Sequence, residues 1–253
     1  DEVIIPAPYW VSYPDMVKIA EGSPVILESS AETAFKVTAE QIRNALTERT
    51  KLVVINSPSN PSGKAYSREE LAAIGKVLKE RPDVMIATDD MYEHILWNGD
   101  FVNIVNATPS LKDRTFVLNG VSKAYSMTGW RIGYAAGPVD VIAAMKKIQS
   151  QSTSNPASIS QAAATAALNG PQECVGEMLK AFRERHDYVV KALNQLPGVE
   201  CIESDGTFYA FPGFQGAIEA TPGVGNDQEL AEHLLKEAGV ALADLVAEDA
   251  PAV

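Results

Sequence analysis

Four short apolar runs, separated by stretches of helical periodicity, constrain this chain to one kind of architecture. The runs are Glu2-Val3-Ile4-Ile5, Leu52-Val53-Val54-Ile55, Val84-Met85-Ile86-Ala87 and Thr115-Phe116-Val117-Leu118. Each has the length of a strand, and near-continuous apolar runs suit strands covered on both faces. Leu71, Ile74, Val77 and Leu78 recur at helical spacing between the second and third runs, as one face of a packed helix would. Strand and helix alternating in this way predict an α/β fold, a mainly parallel sheet flanked by helices.

Local signals sharpen the boundaries. Thr38 is followed three residues later by Gln41, and Ser67 by Glu70. Both pairs are capping boxes, which open helices over 38–46 and 67–79. Further strands are expected at 24–28 and 132–136, a short helix at 14–20, and a helix with Pro138 in its first turn. From Pro156 the chain is Ala-rich and helical through Ala167, Gly170-Pro171 punctuates it, and a longer helix runs over about 172–196 until Pro197-Gly198 stops it. A strand at 207–211 and a helix at 227–238 then suggest a smaller α+β unit. The expected division is a large domain over 1–170, a long interdomain helix over 171–196, and a small C-terminal unit over 197–253.

Charge excludes several functions. Lys and Arg total 21 against 33 Asp and Glu, a formal net charge of −12, so nucleic acid and anionic membranes are repelled unless a local basic patch exists. No basic run with interleaved aromatics is present. Cys174 and Cys201 have neither metal-ligand spacing nor the density of a disulfide framework. His94, His186 and His233 are scattered, which favours structural or solvated roles, and no metal is expected. No apolar stretch reaches membrane-spanning length, so the default setting is cytoplasmic.

The runs end in residues able to do chemistry, and parallel sheets bind ligands at the carboxyl ends of their strands. Lys123 sits in Asn119-Gly120-Val121-Ser122-Lys123-Ala124-Tyr125. Loop lysines are ordinarily solvated, but aromatic, apolar and small neighbours would strip water from this amine and expose a nucleophile. Arg131, eight residues on, supplies a fixed cation suited to a phosphate. Asp89 closes an apolar run, where a carboxylate is costly without a cationic partner; Asp90 has the alternative reading of a turn or cap residue. Tyr92 could donate to a phenolate oxygen or simply pack in the core. Asn60, in Asn56-Ser57-Pro58-Ser59-Asn60-Pro61-Ser62-Gly63, belongs either to a rigid connection or to a ligand-binding turn. Trp10 could stack on an aromatic ring or pack between domains. A lysine, an aspartate, a tyrosine, an asparagine and a tryptophan gathered at one sheet edge suggest a site for pyridoxal phosphate.

The segments PAPYWVSYPDM, NSPSNPSGKAYS, TDDMYEHILW and NGVSKAYSMTGWRIGYAAGP resemble those of class I/II aminotransferases of fold type I, most of all the bacterial aspartate aminotransferases. The similarity runs from Asp1 to about Leu242, and the lysine segment is highly specific. It implies that Lys123 links covalently to pyridoxal 5′-phosphate and shuttles the proton of the reaction. Asp89 would pair with the pyridine nitrogen, Tyr92 and Asn60 would contact the phenolic oxygen, Arg131 would bind the phosphate and Trp10 would pack on the ring. Asn60 and Trp10 would also border the amino-acid substrate. The implied activity is transfer of an amino group between an amino acid, aspartate by overall similarity, and a 2-oxo acid such as 2-oxoglutarate, in a homodimer.

Two departures accompany the resemblance. The family's N-terminal portion, with its glycine-containing phosphate-binding turn, is not among these 253 residues, and the sequence after Leu242 reads Ala243-Asp244-Leu245-Val246-Ala247-Glu248-Asp249, with no arginine after Arg185. Part of the phosphate cradle and the arginine clamp on the substrate carboxylate are therefore expected to be missing. The competing reading is a truncated or non-catalytic domain that binds pyridoxal phosphate without activity of its own.

Overall fold

A computed structural model describes residues 1–242. Its six-stranded sheet runs in the order β2-β1-β3-β4-β5-β6, built from β1 (Glu2–Pro6), β2 (Ser23–Leu27), β3 (Thr50–Asn56), β4 (Met85–Asp89), β5 (Thr115–Gly120) and β6 (Gly133–Ala136). The first five strands are parallel, and β6 pairs antiparallel with β5. All four apolar runs lie at these strands, and the α/β expectation holds. Chain order reverses between β1 and β3, so a crevice opens there at the carboxyl edge.

Helices cover both faces. α1 (Ser12–Ile19) connects β1 to β2, α2 (Ala39–Ala45) connects β2 to β3, and α3 (Arg68–Lys79) connects β3 to β4. The strand period of two divides the side chains between the faces. Ile4, Val53, Ile55 and Ile86 pack with Ile42, Leu71, Ile74 and Leu78 of α2 and α3. Ile5, Val54 and Ala87 face the other way, onto Tyr13 and Val17 of α1. Ile4, Ile42 and Leu78 are fully buried, and each such side chain stabilises the fold by roughly 1.5–3 kcal/mol relative to exposure.

Both capping boxes form. The Thr38 hydroxyl accepts from Gln41 N–H while the Gln41 side chain accepts from Thr38 N–H, and Ser67 and Glu70 repeat the exchange. After β4 come a short α4 (Ile104–Ala107), then β5, β6, α5 (Val139–Ser152), α6 (Ser158–Asn169) and the long α7 (Glu173–Leu193). Pro138 is the residue preceding α5 rather than part of its first turn.

The expected strand at 207–211 does not form. A two-residue pair, β7 (Glu200–Cys201) with β8 (Pro212–Gly213), closes around it instead. The intervening backbone is bound elsewhere: Thr207 N–H donates to Ile95 O at 2.7 Å, and Thr207 adopts φ 70°. A residue held in the left-handed region cannot continue a ladder. α8 (Gln215–Ala220) and α9 (Asp227–Ala238) follow, α9 with the bounds expected. The portion of the 197–253 unit beyond residue 242, and the segment Ala243 to Asp249, lie outside the described residues.

Candidate functional site

The carboxyl ends of β1, β3, β4 and β5 each deliver one part of a connected cluster. Asp89, the last residue of β4, is its hub. Tyr13, on the first turn of α1, donates its hydroxyl to Asp89 Oδ2 at 2.6 Å, and Met91 N–H donates to Oδ1 at 3.2 Å. Burial nonetheless pushes the Asp89 carboxyl above the usual carboxylate range, the two hydrogen bonds opposing it. Tyr13 is itself buried, and burial with the neighbouring Asp89 charge raises its phenol well above the ordinary value. Tyr13 therefore stays protonated and acts as donor.

Asn56, the last residue of β3, ties this hub to the next turn. Its amide donates to Asp89 O at 2.9 Å and accepts from Asn60 N–H at 2.7 Å. The Asn60 side-chain oxygen is buried with no hydrogen-bond partner. An unpaired polar atom of this kind costs free energy unless a ligand completes it, and a half-turn of the amide presents its NH2 in the same place.

Tyr92 lies three residues past Asp89 and is 3% exposed. Its hydroxyl shares a 2.8 Å hydrogen bond with that of Tyr209, and its phenol is raised by burial first and by Tyr209 second. Tyr92 also meets Phe208 edge-on, with centroids 5.7 Å apart. The amine of Lys123, just beyond β5, stands 5.4 Å from the centroid of that Phe208 ring. Lys123 is half-buried rather than stripped of water as expected, and the aromatic ring beside it is Phe208, not one of its own segment. Trp10 is 40% exposed and packs edge-on against Tyr13 at 5.5 Å.

Trp10, Asn60 and Asp89 thus belong to one network through Tyr13 and Asn56, and Tyr92 and Lys123 to a second through Phe208. The Asp89 charge reaches Tyr92, so the two adjoin. Arg131 stands apart. It is exposed, in the left-handed conformation with φ 50°, and its guanidinium donates to Thr128 O at 2.9 Å.

Asp90 opens a turn, its carbonyl accepting from Glu93 N–H at 3.0 Å, and caps no helix; its side chain is enclosed. It is 3% exposed, accepts from the Thr88 hydroxyl at 2.7 Å and from the Asn103 amide, and burial pushes its pKa up to about 6. Asn56 is signalled in the sequence as a polar residue ending an apolar run, whereas Tyr13, Phe208 and Tyr209 are not. The other three reach the site through contacts that no local pattern encodes.

A half-buried carboxylate with no cationic partner among the described residues, an unpartnered amide oxygen and a half-buried amine lie along one sheet edge. These groups fit a planar, phosphorylated pyridine aldehyde: an acid for its ring nitrogen, donors for its ring oxygen, an amine for its carbonyl.

The family model described as aminotransferase class I and II matches residues 1–247. The chain is 62% identical over 219 residues to an aspartate/prephenate aminotransferase of Nitrosomonas europaea, covering 86% of this chain and 55% of that protein. It is 49% identical to an aspartate aminotransferase of Rhizobium meliloti, with 96% and 60% covered. A crystal structure of the aspartate aminotransferase from Rhizobium meliloti superposes with a TM-score of 0.90 at 48% identity, over 95% of this chain and 62% of that one. The chain spans about three fifths of the length of the curated relatives it matches.

Proposed function

The chain belongs to the class I and II aminotransferases, and from that membership we propose that it serves pyridoxal 5′-phosphate-dependent transfer of an amino group from aspartate to a 2-oxo acid such as 2-oxoglutarate. The observation that carries this reading is Asp89, a half-buried carboxylate at the strand end that Tyr13 and Met91 hold in place, that desolvation pushes above the usual range, and that a protonated pyridine nitrogen would satisfy. The aspartate preference is supported by the names of similar proteins, some of which add prephenate as a second substrate.

In this reading Lys123 attaches the cofactor and moves the proton at the substrate α-carbon. Asp89, oriented by Tyr13 and Met91, keeps a proton on the ring nitrogen. Tyr92 and Asn60 would donate to the ring oxygen, Trp10 would cover the ring and, with Asn60, border the substrate, and Arg131, whose guanidinium here donates to Thr128 O, would turn from that carbonyl to hold the phosphate. When bound, pyridoxal phosphate supplies the electron sink that makes the α-proton removable. The strand-end groups, half-buried and held by hydrogen bonds, keep their positions with little solvent reorganisation, as electrostatic catalysis requires.

The reading includes the division into a cofactor-binding part (1–170), a connecting helix (171–196) and a smaller part from 197 on. The separate β7–β8 pairing supports it. It also includes a cytoplasmic homodimer, for which the exposed Val139, Ile148 and Ile159 offer apolar surface. Among the described residues no helix is long and apolar enough to cross a membrane. Titration of the purified protein with pyridoxal phosphate, read by absorbance, together with an assay of aspartate-dependent amino transfer, tests the proposal. Absence of a saturable cofactor spectrum would overturn it.

A further inference from the structure

Asp205 lies outside every role given above, yet three segments of the site meet on it. Its carboxylate accepts from Lys64 Nζ at 3.0 Å, from the Asn98 amide at 2.9 Å and from Ala65 N–H at 3.0 Å. Its own N–H and that of Gly206 donate to Gly63 O at 2.9 and 3.0 Å, and its carbonyl accepts from Trp97 and Asn98 N–H. The Lys64 and Asp205 side chains are only 16% and 13% exposed, so water does not readily replace these contacts. The backbones come together closely enough to require glycine. A Cβ on Gly63, at φ +65°, would lie 2.5 Å from Ser204 Cβ, and one on Gly206 would lie 2.2 Å from Ile95 O.

The joined segments are those that carry site residues. Gly63 and Lys64 close the turn containing Asn60, through Gly63 N–H to Ser59 O and Ser59 N–H to Lys64 O. Trp97 and Asn98 end the loop that begins at Tyr92. Ser204, beside Asp205, donates its hydroxyl to Tyr209 O, and Tyr209 shares its hydroxyl with Tyr92.

We propose that Asp205 is a positioning residue, a carboxylate clasp that fixes the Asn60 turn against the Tyr92 and Tyr209 loops so that their donors converge on one ligand oxygen. The inference deepens the proposed function and rests on it for the identity of that ligand. Asp205 touches no reacting atom and acts through Asn60, Tyr92 and Tyr209. Its charge matters because three donors converge on it, two of them on Oδ1, and an amide in its place would turn an NH2 toward at least one of them.

The test compares wild type, Asp205→Asn and a control, Thr38→Ala, which weakens the α2 cap away from the clasp. Affinity for pyridoxal phosphate is measured by tryptophan fluorescence, the bound state by near-ultraviolet circular dichroism, and local order by amide hydrogen exchange, all below the melting transition. Asp205→Asn is expected to bind pyridoxal phosphate about ten-fold more weakly, with an altered dichroism band and faster exchange over 59–66 and 204–209. Thr38→Ala should lose stability without those changes. If Asp205→Asn does not fold, Asn98→Ala and Lys64→Met, each removing one donor, should show the same changes in smaller measure. Unchanged exchange in both segments, or an unchanged affinity beside a lowered melting temperature, overturns the proposal. A wild type that fails to bind pyridoxal phosphate refutes the proposed function instead, and the exchange measurement still decides whether Asp205 couples the segments.

Discussion

Asp89 and Asp90 are adjacent in sequence, and their surroundings give them different work. Asp89 ends β4 with one face toward the site and Tyr13 as partner. Replacing it by Asn should weaken cofactor retention and slow amino transfer by at least ~10²-fold, the order expected when a preorganised electrostatic partner is removed. Asp90 points into protein, and its amide replacement can be accommodated because the Thr88 hydroxyl can turn from donor to acceptor. Asp90→Asn should therefore spare cofactor binding, and comparing the two variants by cofactor titration checks the assignment. The Asp90 effect belongs to stability. Its pKa is raised from 3.8 to about 6, so the folded state binds more protons than the unfolded state between these values. That contribution is fully present below about pH 4 and is lost as pH rises through about 6, a change of about 3 kcal/mol. Asp90→Asn lacks the dependence, so its stability relative to wild type should rise across that window in urea unfolding at stepped pH. Parallel curves for the two proteins would contradict it.

At the scale of elements, the chain announces what is local and conceals what is distant. The capping pairs Thr38–Gln41 and Ser67–Glu70 were legible because their partners stand three residues apart, and α3 followed from its spacing of Leu71, Ile74, Val77 and Leu78. Leu78→Ala should cost about 2–5 kcal/mol, because Leu78 is fully buried and its removal leaves a cavity. Lys76→Ala, on the exposed face, should stay within about 0.5 kcal/mol, both read from chemical denaturation. The strand ends were equally legible, which is why Asn60, Asp89 and Lys123 could be singled out. Tyr13 and Asp89 are 76 positions apart, and Tyr92 and Tyr209 are 117 apart, so no window of sequence displays either pair. The segment 207–211 shows the same limit. Its aromatic, β-prone composition suggests a strand, but the hydrogen bond that Thr207 N–H donates to Ile95 O and the left-handed conformation of Thr207 override that preference.

For the whole molecule, the sheet order places a topological switch between β1 and β3, and the site gathers around the carboxyl ends beside it. The acidic balance of −12 coexists with a half-buried amine, Lys123, beside the aromatic ring of Phe208, a group suited to an aldehyde. Everything proposed for the site turns on Lys123 carrying that aldehyde. The most direct test is to load the protein with pyridoxal phosphate, reduce it with borohydride, digest it and locate the fixed pyridoxyl group by mass spectrometry. The modification is expected on the peptide containing Lys123, and Lys123→Ala should lose both it and amino transfer. Labelling of another lysine, with Lys123 unmodified, would contradict it.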